Sequence, residues 1–178
     1  MKNLIKTLSV TMVVTVLLSY NSVAQQMYAG NTGKTVYATG SIDIKEANTV
    51  NINVATTPDV ETKFAVLFPS AANLQWSGTD KNYWVSFLNN GRKTTASFTP
   101  KGKMNYVISD CTTDQLPAAF RNTIKKEYAL YNLYNAIEIK AYNSVAYQAV
   151  LENSVNFITL KYTSDGVEEI KQVKKTTN

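Results

Sequence analysis

The run Tyr83-Trp84-Val85-Ser86-Phe87, its sequel Asn89-Asn90-Gly91 and the returning Thr94-Thr95-Ala96-Ser97-Phe98-Thr99 read as two strands around a tight turn. Side chains alternate large apolar with polar or small, the period of a half-buried strand. Asn-Asn-Gly supplies residues that tolerate positive φ, as a short hairpin turn requires. A shift of 64 residues carries Tyr83, Val85 and Phe87 onto Tyr147, Ala149 and Leu151. The same shift carries Thr94, Ala96, Phe98 and Gly102 onto Ile158, Leu160, Tyr162 and Gly166. One offset across two strands and a turn argues for an internal repeat.

Outward from this hairpin the same pattern continues. Pro100-Lys101-Gly102-Lys103 forms a second turn, and Met104 to Ile108 forms a third strand. Upstream, Thr57 is placed to cap a helix, Pro58 suits its first position, and Asp59 and Glu61 put negative charge in its opening turn. Val60, Phe64, Leu67, Phe68 and Ala71 follow at helical spacing until Pro69 ends or bends the helix, and Trp76 is a packing residue at the corner. A second helix begins near Leu116-Pro117 and buries Phe120, Ile124, Tyr128 and Tyr131. Ala136 to Ala141, Ala146 to Leu151, Phe157 to Tyr162 and Val167 to Val173 supply further strands. The fold class expected is α+β: a tandem duplication of an α-β-β-β unit, with helices packed on one face of an antiparallel sheet.

The chain of 178 residues divides into three parts. Residues 1–24 read as a cleavable export signal: Lys2 and Lys6 precede a mostly apolar Leu8 to Leu18, and Ser22-Val23-Ala24 provides small residues for cleavage. That core is too short for a bilayer span, so no membrane segment is expected after cleavage. Residues 25–57 form an extension rich in Thr, Asn, Ala and Gly, a loose lead-in or an edge strand. Residues 58–178 form the domain, with repeats of about 58–111 and 112–178. The expected location is the periplasm or the medium.

Composition excludes much chemistry. The protein has no histidine and one cysteine, Cys111. Ser-His-Asp and Cys-His nucleophile arrangements are thereby absent, as are zinc sites of the common types. Cys111 cannot form an internal disulfide and is expected to be buried and inert. Glu168-Glu169 is the one adjacent pair of acids in the strands, and neighbours on a strand point to opposite faces. Gly30 and Gly33 lack the strand and helix of a phosphate-binding loop. The formal charge of +5 falls to +3 without Lys2 and Lys6, and the basic run Lys171 to Lys175 reads as a solvated tail, so no nucleic-acid partner is expected. No catalytic residue, metal ligand or cofactor is assigned, and the chain is not expected to be an enzyme.

The order Phe64, Phe68-Pro69-Ser70-Ala71, Trp76, Tyr83-Trp84-Val85-Ser86-Phe87, Phe98 and Gly102-Lys103 resembles a known family. Leu116-Pro117, Ile124, Tyr128, Tyr147, Leu160, Tyr162 and Asp165-Gly166 continue that resemblance. It is to the PepSY-like proteins of Bacteroidetes with a β-lactamase-inhibitor-protein-like (BLIP-like) fold, over about Pro58 to Lys175. The resemblance implies a secreted or periplasmic protein and an α-β-β-β duplication. It supplies no catalytic residue, and no stretch here matches the inhibitor's loops.

Alternation assigns Tyr83, Val85, Phe87, Ala96, Phe98, Leu160 and Tyr162 to the helix side. It leaves Trp84, Ser86, Thr95, Ser97, Thr99, Gln148, Thr159, Lys161 and Thr163 on the other. That second face is expected to be polar except for one indole. Trp84, Ser86, Thr95, Ser97, Gln148 and Lys161 are the candidate binding residues, for a protein, peptide or glycan of the cell envelope. The bland reading is a solvated sheet with Trp84 covered by the 25–57 extension. Three functions follow in order: an envelope binding module, with inhibition among its modes; a structural or stress-related envelope protein; and, remotely, a carboxylate-based enzyme.

Overall fold

A computed structural model describes residues 51–175, apart from Asn53. The export signal, the extension up to residue 50 and residues 176–178 lie outside the described residues, together with the expectations placed on them.

Strand β1 (Asn51–Ile52) leads to helix α1 (Pro58–Leu67). The Thr57 hydroxyl accepts from the Val60 amide at 3.4 Å and donates to the Pro100 carbonyl at 3.0 Å. The cap therefore starts the helix and ties it to the sheet. After α1 the chain turns at Phe68, whose amide donates to the Phe64 carbonyl at 2.9 Å, and Pro69 prevents continuation. Four strands follow: β2 (Ala71–Gly78), β3 (Tyr83–Asn89), β4 (Arg92–Phe98) and β5 (Met104–Asp110). A short 3-10 turn, Thr113–Gln115, then precedes α2 (Ala118–Glu127) and four more strands. These are β6 (Asn132–Ala141), β7 (Ser144–Glu152), β8 (Asn156–Thr163) and β9 (Gly166–Lys174).

The nine strands of the described residues form one antiparallel sheet in sequence order, an uninterrupted meander. The first half holds four strands after its helix, where three were expected, because Ala71–Gly78 is a strand. Its small and polar residues lack β-forming character, and a register break between Ala72 and Gln75, with Asn73 at φ 58°, removes the alternation. Trp76 thus lies on a strand and meets Phe64 edge-on at 5.3 Å, while Ala71 belongs to β2 and not to the stripe of α1.

The 64-residue shift is visible in the pairing. Tyr83 faces Phe98 and Tyr147 faces Tyr162; Val85 faces Ala96 and Ala149 faces Leu160. The hairpin before each pair differs. In the first half it ends at Gly78 opposite Tyr83. In the second, pairing continues past Glu138 opposite Tyr147 through Ile139, Lys140 and Ala141 to a turn at Tyr142 and Asn143, both at positive φ. Those added residues of β6 pair with Ile108, Val107 and Tyr106 of β5 and join the halves.

Each helix covers its own half of one sheet face. Val60 and Phe64 pack with Val85, Phe87, Ala96, Phe98 and Val107. Leu116 and Phe120 pack with Ala136, Ala149, Leu151, Ile158 and Leu160. Phe98, Phe120, Leu151 and Leu160 are fully buried, each stabilising the fold by roughly 1.5–3 kcal/mol. Between the clusters runs a polar seam, where Thr94 and Ser109 share a hydrogen bond at 3.1 Å. Glu138 there meets Arg92 at 3.5 Å, Lys140 at 3.2 Å and the Tyr147 hydroxyl at 3.2 Å.

Candidate binding face

The six candidate residues fall on the sheet face away from the helices, as the period of two requires. Strand pairing arranges this face in rows. One row runs Ser77, Trp84, Ser97, Tyr106, Ala141 and Ser144. The next runs Gln75, Ser86, Thr95, Ile108, Ile139 and Ala146. A third runs Asp110, Ile137, Gln148, Lys161 and Glu168. Trp84, Ser86, Thr95 and Ser97 are therefore neighbours, whereas Gln148 and Lys161 stand apart beyond β5 and β6.

Two expectations about this face need correction. It is not polar apart from one indole: Tyr106, Ile108, Ile137, Ile139, Ala141 and Ala146 form an apolar band through its middle. Strands β5 and β6 are central, with Tyr106, Ile139 and Ala141 buried on this face and Val107 and Ala136 on the helix side, so they carry apolar residues without clean alternation. Nor is the whole row exposed: Ser97 is 1 %, Lys161 5 % and Gln148 9 % exposed. Trp84, Ser86 and Thr95 are half-buried.

The polar side chains are held in fixed places. Ser86 and Thr95 share a hydrogen bond at 3.1 Å. The Trp84 indole donates to the Tyr106 hydroxyl at 2.8 Å. The Asn105 amide donates to Asn82 at 3.1 Å and to Ser97 at 3.3 Å. Lys161 is paired with Glu168. Sequence reasoning missed Tyr106, Asn105, Asn82 and Ser77. Tyr106 was hidden by a register break beside Phe98, which sets Met104 toward the helices and Tyr106 away from them despite their spacing of two.

Among the described residues the hydrogen bond of the Cys111 thiol goes to the Thr112 carbonyl, not to a base. Cys111 is half-buried rather than buried, and burial raises its thiol pKa against the lowering effect of nearby Arg92. Among the described residues no group of three His, Cys, Asp or Glu converges as a metal site. A depression lined by Phe64, Phe68, Leu74 and Trp76 is apolar with Glu61 at its rim. A second, beside Leu130 and Asn132, holds Lys175 bonded to Glu152 at 2.9 Å. Among the described residues no helix is long and apolar enough to cross a membrane.

A meander of antiparallel strands with two helices on one face is the architecture of the BLIP-like proteins, and the chain has that fold. A BLIP-like protein from Bacteroides fragilis superimposes with a TM-score of 0.58 at 14% identity, covering 70% of this chain and 90% of its own. A DUF2874 family protein from Bacteroides ovatus gives 0.57 at 20% identity, over 68% of this chain and 89% of that one. A Bacteroides eggerthii protein whose name provisionally assigns it to the periplasm gives 0.57 at 21% identity, over 68% and 90%. No family model matches the sequence, and neither does any curated protein.

Proposed function

We propose that the protein is a non-catalytic binding module of the bacterial envelope, exported by residues 1–24, which recognises a partner through the sheet face of its first half. The observation that carries this reading is the fixed patch around Trp84: hydroxyl and amide groups held in place by one another, beside a half-buried indole. Such a patch binds with little ordering cost, because its side chains are already placed. The BLIP-like fold and the periplasmic name of a structural neighbour support the location and the absence of chemistry. The 64-residue recurrence of pairing supports origin by tandem duplication, and kinship with PepSY-like proteins belongs to the same reading.

A second reading rests on the burial of Ser97, Gln148 and Lys161, which favours a structural envelope protein whose face is closed. Affinity recovery from envelope extracts separates the two. The exported protein should recover one envelope component saturably, and the Ser86→Arg/Thr95→Arg variant should lose it at an unchanged unfolding midpoint. Equal recovery by both, or none by either, would sink the binding reading.

A further inference from the structure

The two ends of the sheet are built differently. Strand β9, the last in the order, carries Glu168, Glu169, Lys171 and Lys174 among its nine residues, and charges of this kind deter a further strand from adding. Strand β2 has no charged residue from Ala71 to Gly78. Strand β1 pairs only with its last two residues, Ser77 and Gly78. Among the described residues, Ala71 to Trp76 therefore have β3 on one side and no strand on the other. From this contrast, and from the apolar hollow beside it, we infer that the outer edge of β2 is a docking site for an extended peptide segment of another protein. The segment would bear a large apolar side chain and a lysine or arginine.

The hollow lies on the helix side of this edge. It has a volume of about 380 Å³ and is lined by Phe64, Ala65, Phe68, Leu74 and Trp76. Phe64 is buried, Phe68 and Trp76 are half-buried and Leu74 is 43 % exposed, so apolar surface is open to an incoming side chain. Helix α1 sets Val60 and Phe64 over β3, β4 and β5, which leaves the strip along β2 without full cover. A peptide paired along β2 sends every second side chain to this side, and such pockets give strand addition its specificity. Glu61, in the first turn of α1, is the one charged residue of the lining, and it favours a cation on the peptide. The Thr56 hydroxyl donates to its carboxylate and holds it in place. A second copy of the chain fits poorly. Its own β2 carries the same bulge at Asn73, and a two-fold contact would set two hollows and two carboxylates against each other. The site is on the opposite side of the sheet from Trp84 and does not depend on the binding face proposed above.

The test is fluorescence anisotropy of the exported protein with three labelled heptapeptides. Each alternates threonine with leucine, valine or phenylalanine and ends in two lysines. At least one should bind saturably with Kd at or below about 100 µM. Changing its apolar residues to serine should abolish binding, and changing its lysines to glutamate should weaken it about tenfold at low salt. N-methylation of alternate amides should abolish binding in one register and spare it in the other, because only one set of amides faces β2. Leu74→Lys and Ala65→Arg, both at exposed positions, should each weaken binding at least about tenfold at an unchanged unfolding midpoint. The Ser86→Arg/Thr95→Arg variant should bind the peptide like the parent. No saturable binding by any of the three peptides overturns the inference. So does equal binding in both N-methylated registers, or undiminished binding by Leu74→Lys. Concentration-dependent dimerisation that Leu74→Lys removes, with no peptide bound, would give the edge to a second copy and overturn it too.

Discussion

Replacement of Gly102 by alanine should destabilise the fold far more than the same change at Gly91. Both glycines sit at positive φ, 71° and 79°, where an alanine costs roughly 1–2 kcal/mol. Gly91 has open space beyond its Cα. At Gly102 an added Cβ would lie 2.7 Å from the Asp59 carbonyl oxygen and 3.1 Å from its carbon, in the first turn of α1. Backbone cannot swing aside as a side chain can, so relief requires α1 to move off the β4–β5 turn. The Thr57–Pro100 hydrogen bond holds it there. Overpacking of this kind adds about 1–3 kcal/mol. Gly102→Ala should therefore cost about 3 kcal/mol and lower the unfolding midpoint by about 10 °C, against about 4 °C for Gly91→Ala. Circular-dichroism melts of both variants with the parent decide the matter. Equal midpoints for the two would show that α1 does not press on the turn, and would refute the close approach described here.

Three further outcomes follow from the packing and the charges. Phe120→Ala should cost about 3–5 kcal/mol in urea unfolding, since this fully buried ring stacks on Tyr162 with 5.3 Å between centroids. Burial, then the Glu138 charge and the hydrogen bond to it, hold the Tyr147 phenol above its ordinary pKa. The folded state then binds the proton more tightly. The resulting stability is complete below the ordinary phenol pKa of about 10 and is lost as pH rises from there through the folded value. Stability should fall above about pH 10, and Tyr147→Phe should flatten part of that fall, read from urea midpoints across the alkaline range. Burial likewise raises Cys111, so iodoacetamide should label the native thiol at pH 8 several-fold more slowly than the urea-unfolded chain; equal rates would contradict its placement.

The hairpin β3–β4, the capped start of α1 and the 64-residue recurrence were legible in the sequence because each rests on local signals: a period of two, a turn with positive φ, and a Thr-Pro-Asp cap. Strand β2 was not, since its bulge at Asn73 and its small polar residues leave no period to detect. The opening residues of β6, Asn132 to Asn135, failed for a like reason, with a register break between Leu133 and Asn135. The face of Trp84, Ser86, Thr95 and Ser97 was legible because alternation alone assigns it. The apolar band between them and Gln148 was not. It follows from β5 and β6 lying centrally in one sheet, which depends on pairing between the halves.

The lengthened β6–β7 hairpin sets how the molecule shares load. Without the reach of β6 from Ile139 to Ala141, strand β5 would retain only Ser109 opposite Glu138 and Asp110 opposite Ile137. That is the same footing β1 has on β2, where Asn51 meets Gly78 and Ile52 meets Ser77. Three residues of strand separate two loosely tethered halves from one continuous sheet. A single cooperative melt is therefore expected to depend on the length of this hairpin rather than on the size of either core.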